Sequence, residues 1–148
     1  MSVKNWVWLD MDGTIADLYG DKEWKQKLEK SNPEPYEKAR PLVSMWKLSR
    51  MIKKIQKKGY KVGVLSWLSK NSTVQYENKV RKAKIKWLRK HLPRIIWDDI
   101  KIVPYGVAKQ NFKQSSCDIL FDDEERNRNN WGLNAYTEKE IFKIMKGL

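Results

Sequence analysis

Short apolar runs recur along the chain and are separated by longer stretches of mixed composition. Runs of this length, bounded by polar or turn-forming residues, are typical of buried strands. On this basis five strands are predicted, at residues 3–9, 60–65, 101–103, 119–121 and 133–136.

The stretches between these runs carry helical signals. Apolar residues recur at the spacing of one helix face at Met45, Leu48, Ile52 and Ile55. Gly59 follows them, where a left-handed C-terminal cap belongs. A second long helix is predicted from Ser72, which forms a capping-box pattern with Gln75, to about His91. Two shorter helices are predicted at residues 24–30 and 138–145.

Strands that alternate with helices predict an α/β fold, here a doubly wound, Rossmann-like parallel sheet with helices on both faces. A length of 148 residues fits a single domain spanning residues 1–148, and no repeat or linker divides the chain. In such a sheet the carboxyl ends of the strands share one edge, which should bring Asp10, Ser66 and Asp122 together.

Composition favours a globular protein over a disordered, membrane-spanning or zinc-binding one. A hydrophobic content of 41% with eight tryptophans is enough for a packed core. No stretch of eighteen apolar residues and no leader pattern is found, so we expect no membrane span and a cytoplasmic location. One cysteine and one histidine cannot build a zinc site. Cys117, at the start of a predicted strand, is expected to be a buried, inert thiol.

The net charge of +13 is unusually high. Such a field attracts phosphate-bearing partners, whether nucleotides or nucleic acid. A solvated basic surface without a specific partner would give the same composition.

The most informative segment is Asp10-Met11-Asp12-Gly13-Thr14, directly after the first apolar run. A strand of this kind delivers its first carboxylate to the crevice where α/β sheets bind ligands. Gly13 allows a sharp turn, and Thr14 supplies a hydroxyl for local hydrogen bonds. Because a carboxylate can act as metal ligand, nucleophile or general acid, the pair could form a phosphoryl-transfer centre.

The segment VWLDMDGTIAD resembles the first motif of the haloacid dehalogenase-like hydrolases, most of which are magnesium-dependent phosphatases. The family's other motifs have candidates in Ser66, in Lys109 and in the pair Asp122-Asp123. Within the family, the run ILFDDEERN is similar to the fourth motif of the small nucleotidases. The resemblance implies the same doubly wound fold. Residues 20–41 leave room only for a small cap or flap, which would keep the site open.

The resemblance also implies a magnesium site. Its ligands would be the carboxylates of Asp10 and Asp122 and the backbone carbonyl of Asp12, with Asp123 acting through a water. Magnesium prefers oxygen ligands of this kind. Four acidic residues in a row, 122–125, repel one another unless a cation is close, which favours a metal in so basic a chain.

Roles in catalysis are implied in the same way. Asp10 would be the nucleophile, and Asp12 the general acid and base. Ser66 would donate a hydrogen bond to the phosphoryl group. Lys109, in preference to Lys113, would hold the charges of nucleophile and phosphate together. Residues expected to bind the substrate are Gly13, Thr14, Ser66, Trp67 and Lys109.

The sequence therefore predicts a magnesium-dependent phosphatase that forms an aspartyl-phosphate and acts on a small phosphorylated substrate, in the first place as a 5′- or 3′-nucleotidase. The high positive net charge leaves two alternatives open: a phosphatase acting on nucleic-acid 3′ ends, and a non-catalytic basic module that binds nucleic acid. Every position needed for chemistry is filled, which argues against the non-catalytic alternative. Transfer to an acceptor other than water is also compatible with the motifs.

Overall fold

A computed structural model describes residues 4–148 and contains a five-stranded, fully parallel sheet with the order β5-β4-β1-β6-β7. The strands are β1 (Trp6–Leu9), β4 (Lys61–Trp67), β5 (Asp99–Val103), β6 (Ile119–Phe121) and β7 (Ala135–Tyr136). The predicted start of the first strand, at Val3, lies outside the described residues. The doubly wound α/β architecture is confirmed.

The register of the central strands explains where the polar residues meet. Leu9 of β1 pairs with Val64 of β4 on one side and with Phe121 of β6 on the other. Asp10 and Asp122, the residues after Leu9 and Phe121, therefore leave the sheet side by side. Ser66 lies two residues beyond Val64, at the same edge.

Helices cover both faces of the sheet. On one face, α3 (Met45–Lys57), α4 (Val74–His91) and α6 (Ile141–Lys146) pack against the side chains that β1 and β4 direct towards them. On the other face, α5 (Glu125–Trp131) and the 3-10 turn Lys109–Phe112 cover a cluster of Trp8, Leu65, Leu120 and Trp131. Alternate residues of β1 supply the two cores, so the strand is buried on both sides.

The segment between β1 and α3 forms a small layer of its own. A two-stranded antiparallel ribbon, β2 (Ala16–Asp17) with β3 (Arg40–Pro41), closes its base. Between them lie a 3-10 turn (Leu18–Gly20) and the helices α1 (Trp24–Glu29) and α2 (Glu34–Glu37). The Tyr76 hydroxyl of α4 donates to the carbonyl of Asn32 and ties this layer to the sheet domain.

Two local predictions are wrong. The N-cap of α4 is Thr73, whose Oγ1 accepts from the backbone N–H of Tyr76. The hydroxyl of Ser72 instead donates to the carbonyl of Ser69, within the preceding turn. Cys117 is exposed, because burial begins only at Asp118, one residue before β6.

Several element boundaries also move by a few residues. β4 and β5 are longer than the apolar runs that predicted them, and β7 is shorter. The closing helix is a 3-10 turn (Glu138–Glu140) followed by α6. Gly59 has φ +101°, as the predicted left-handed cap requires. Within residues 4–148, no helix is both long enough and apolar enough to cross a bilayer.

Candidate functional site

Three carboxylates converge at the carboxyl edge of the sheet. Oxygen atoms of Asp10, Asp122 and Asp123 all lie within 4.8 Å of one another. Asp10 and Asp122 are almost fully buried and Asp123 is half-buried. These are three of the four residues predicted to hold a metal. The side chain of the fourth, Asp12, lies outside this acidic cluster, as a ligand acting through its backbone carbonyl would.

Lys109 supplies the positive charge at the acidic cluster. Its Nζ lies 3.0 Å from Asp10 Oδ1 and 2.7 Å from Asp122 Oδ2, and its side chain is 2% exposed. Burial alone would lower the pKa of Lys109, but the neighbouring charges of Asp10 and Asp122 outweigh burial and raise it. Lys113, the competing candidate, donates to the carbonyl of Trp131. The structure thus places Lys109, and not Lys113, beside the carboxylates.

The single positive charge of Lys109 does not balance the three carboxylates of the acidic cluster, whose oxygen atoms lie within 4.8 Å of one another. Burial and the charge of Asp10 raise the pKa of Asp123 from 3.8 to about 8. The same two causes raise the pKa of Asp122, although Lys109 opposes them. The acidic cluster therefore carries excess negative charge that a proton or a cation must compensate.

Gly13 and Thr14 serve the acidic cluster itself. Gly13 has φ +80°, and a Cβ at this position would collide with the Asp123 carboxylate. The Thr14 hydroxyl is fully buried, within hydrogen-bond distance of Asp10 Oδ2 and Asp123 Oδ1, and accepts from the backbone N–H of Asp123. Both residues hold carboxylates in place and lie behind the cavity wall, so their predicted contact with substrate stays a prediction.

A second charged group surrounds Asp12. The Nζ of Lys84 lies 2.8 Å from Asp12 Oδ2, 2.7 Å from Ser66 Oγ and 2.6 Å from the carbonyl of Trp67. Ser66 is fully buried, so the structure brings it to Asp12 through Lys84 and not directly to Asp10.

A cavity of about 570 Å³ opens above both groups of charges. Asp10, Asp12 and Asp122 lie at its floor, together with Lys109. Its walls are strongly aromatic and come from the small layer, from the end of β4, from α4 and from the loop after β5: Tyr19, Trp24, Tyr36, Trp67, Tyr76 and Tyr105. Trp67 is held by a hydrogen bond from its indole Nε1 to the carbonyl of Val107. The predicted substrate residue Trp67 is thus part of the wall.

Sequence reasoning missed Lys84 and the residues that fasten the acidic loop. Lys84 interrupts the apolar face of α4 between Val80 and Trp87, and a lysine inside such a stripe is the signal that could have identified it. Asn127 Nδ2 donates to Asp122 Oδ2, and the Arg128 guanidinium donates to the carbonyls of Asp122 and Asp123. Nothing in their spacing alone distinguishes these two from other polar helix residues.

Comparison with known proteins supports the fold. No protein-family model matches the chain, and no curated protein matches it significantly. Among solved structures it is similar to a D,D-heptose 1,7-bisphosphate phosphatase from Burkholderia thailandensis, with a TM-score of 0.51 and 14% identity. The match covers 88% of this chain and 74% of that one. The chain therefore shares the fold of this phosphatase, which agrees with the doubly wound fold that its first motif predicted.

Proposed function

We propose that this protein is a magnesium-dependent phosphatase that hydrolyses phosphomonoesters through an aspartyl-phosphate on Asp10. The observation that carries the proposal is the buried acidic cluster at the floor of an open cavity, with Lys109 between Asp10 and Asp122. A structural ion pair would need one carboxylate per lysine and no cavity.

The residues present fit a magnesium ion. All the available donors are hard oxygens, namely the carboxylates of Asp10, Asp122 and Asp123 and the backbone carbonyl of Asp12, and magnesium prefers such ligands. The raised pKa values of Asp122 and Asp123 support a cation at this place, because burial and the charge of Asp10 disfavour the ionised carboxylates when no cation is bound. A bound magnesium ion would neutralise the repulsion between nucleophile and phosphate and polarise the phosphoryl oxygens.

The chain's own residues would divide the chemistry as follows. A carboxylate oxygen of Asp10 attacks phosphorus, and the bond from phosphorus to the ester oxygen breaks. Asp12, which must be protonated when the substrate is bound, gives that proton to the leaving oxygen and later takes one from the water that hydrolyses the aspartyl-phosphate. Lys109 keeps Asp10 aligned and offsets the charge of the phosphoryl group. The Ser66 hydroxyl would donate to a phosphoryl oxygen.

The test is phosphate release from an aryl phosphate. Wild type should require a divalent cation and lose its activity in excess chelator. Asp10→Asn should lower turnover by about three orders of magnitude or more, because an amide is a poor nucleophile and a neutral ligand. Asp99→Asn, at a half-exposed aspartate of β5 paired with Lys101, is the matched control and should be neutral. Near-normal turnover of Asp10→Asn would refute the proposal.

A nucleotide is the substrate class that the cavity favours. Aromatic rings stack on nucleobases, and such stacking contributes about 1–3 kcal/mol per base. The rings of Tyr19 and Trp24 meet edge to face at 5.1 Å, those of Trp67 and Tyr105 lie 4.9 Å apart, and all four line the cavity. Lys25 and Lys70 add positive charge at the wall. The proposed activity is therefore that of a 5′- or 3′-nucleotidase.

Trp24→Leu separates stacking from phosphate binding. It should raise KM about tenfold or more for a mononucleotide and leave a sugar phosphate nearly unaffected. Trp46→Leu, at a tryptophan 70% exposed on α3, is the control. A preferred sugar phosphate, or equal effects of Trp24→Leu on both substrates, would contradict the nucleotide assignment.

Nucleic-acid 3′ ends are the second candidate, favoured by the net charge of +13. The segment 20–41, proposed as the small cap of a single domain, would leave space for a polymer. The specificity constant for a 3′-phosphorylated oligonucleotide should then fall steeply with salt, whereas a mononucleotide should show a shallow dependence.

A further inference from the structure

Lys84 is a buried lysine that the mechanism above does not use. It lies on α4, its side chain is 1% exposed, and its Nζ contacts Asp12 Oδ2, Ser66 Oγ and the carbonyl of Trp67 at 2.6–2.8 Å. The ring of Tyr36, from the small layer, lies 5.1 Å from the same Nζ. The ammonium group is therefore enclosed on all sides.

The groups around Lys84 Nζ match the hydrogen-bonding capacity of an ammonium group. An ammonium has three protons to donate and cannot accept, and three acceptors surround it here. Taking such a charge out of water is costly unless it is paired and hydrogen-bonded, and among its contacts only Asp12 can carry a formal negative charge. A methionine would fill the same space without that cost, so packing alone does not explain a lysine.

The two buried lysines serve different carboxylates. Lys109 contacts Asp10 and Asp122 within the acidic cluster, whereas Lys84 contacts Asp12 outside it. Without Lys84, the Asp12 side chain would be free to turn towards Lys109 or a cation at the acidic cluster. Lys84 keeps the second carboxylate of the Asp-x-Asp pair apart from the first.

We propose that Lys84 is a positioning residue that holds Asp12 through Oδ2, in the orientation that leaves Oδ1 for proton transfer to the leaving oxygen. The inference rests on the proposed phosphatase function. A consequence follows for Ser66: because Lys84 can only donate, Ser66 Oγ must accept from it, and the hydroxyl hydrogen remains available for a phosphoryl oxygen.

The test uses two substrates that differ in their need for a proton. The alcohol leaving an alkyl phosphate must be protonated, whereas p-nitrophenolate leaves without help. Lys84→Met should lower kcat/KM for the alkyl phosphate by about 100-fold and for p-nitrophenyl phosphate by less than about tenfold. Lys86→Met, at a 70% exposed lysine of the same helix, is the control and should change neither. Equal losses on both substrates would overturn the proposal.

A double-mutant cycle checks that Lys84 acts through Asp12. In an Asp12→Asn background, Lys84→Met should cost less than about threefold on the alkyl phosphate, because the group that it positions can no longer transfer a proton. An undiminished loss in that background would show that Lys84 acts elsewhere. If wild type releases no phosphate from either substrate, the proposed function fails, and not this step alone.

A structure of the wild-type protein with magnesium and trifluoroberyllate keeps the proposal falsifiable even if Lys84→Met does not fold. Lys84 Nζ should remain on Asp12 and Ser66, and Ser66 Oγ should donate to a fluorine atom. A Lys84 that leaves Asp12 and contacts the fluoride itself would overturn the positioning role.

Discussion

Magnesium should bind more tightly as the pH rises, because the acidic cluster holds a proton when no cation is present. Burial and the charge of Asp10 raise the pKa of Asp123 from 3.8 to about 8. Below that pH, a cation must displace the proton before the carboxylate can take part in binding. Above it, the carboxylate is already ionised and the affinity should level off.

One proton displaced per ion sets the magnitude. The dissociation constant for magnesium should fall about tenfold for each unit of pH below about 8, which is about 1.4 kcal/mol per unit. Stability of the metal-free protein should change in the opposite sense. Since the folded state holds a proton that the unfolded state has lost, the free energy of unfolding should decrease between about pH 4 and pH 8.

Calorimetric titration with magnesium in buffers of different ionisation enthalpy measures the dissociation constant and the number of protons released, and chemical denaturation at several pH values measures the free energy of unfolding. At about pH 7 we expect close to one proton released per ion bound. Asp123→Asn removes the titrating group and should abolish most of that release. A magnesium affinity independent of pH, with no proton released by wild type, would refute this account of the acidic cluster.

Three further predictions concern the stability of variants and the exposure of the cysteine. Lys109→Met should lower the free energy of unfolding by about 3–5 kcal/mol at neutral pH, because it leaves buried carboxylates unpaired, whereas Lys113→Met should have a small effect; chemical denaturation measures both, and equal effects would contradict the ion pairs. Gly106→Ala, at φ +87° in open space, should lower the free energy of unfolding by about 1 kcal/mol. Gly13→Ala should lower it further and weaken magnesium binding, because the new Cβ would displace the Asp123 carboxylate. Similar losses for both variants would argue against that close approach. Cys117 should react with a thiol reagent in the native protein at the rate of an exposed cysteine, and protection until unfolding would show that it is buried after all.

Much of the fold could be predicted from the sequence because its signals are local. Apolar runs identified the five strands, and the spacing of Met45 to Ile55 identified α3. Alternation of strands and helices then fixed the parallel topology. The sequence does not fix the start of a helix where two neighbouring residues can both act as its N-cap. Ser72 and Thr73 are such a pair, and Thr73 is the N-cap because the Ser72 hydroxyl bonds to the preceding turn.

In the site too, residues with a local sequence signal could be predicted, whereas residues whose role depends on long-range contacts could not. Asp10 and Asp122 were predicted because each follows a recognisable strand, and Lys109 because the family resemblance implied a lysine there; the structure places Lys109 in contact with both. Lys84 was not predicted, because its role depends on three acceptors from distant parts of the chain meeting inside the fold. The aromatic wall likewise depends on how the small layer is placed over the sheet.

The central claim is that Asp10 becomes phosphorylated, and trapping the intermediate tests it most directly. Wild-type protein is mixed with magnesium and a radiolabelled aryl phosphate, quenched in acid during turnover, and digested. We expect a hydroxylamine-sensitive label, as for an acyl phosphate, on the peptide that contains Asp10, and no label in Asp10→Asn. Turnover without any such label, or a label on another residue, would contradict the mechanism.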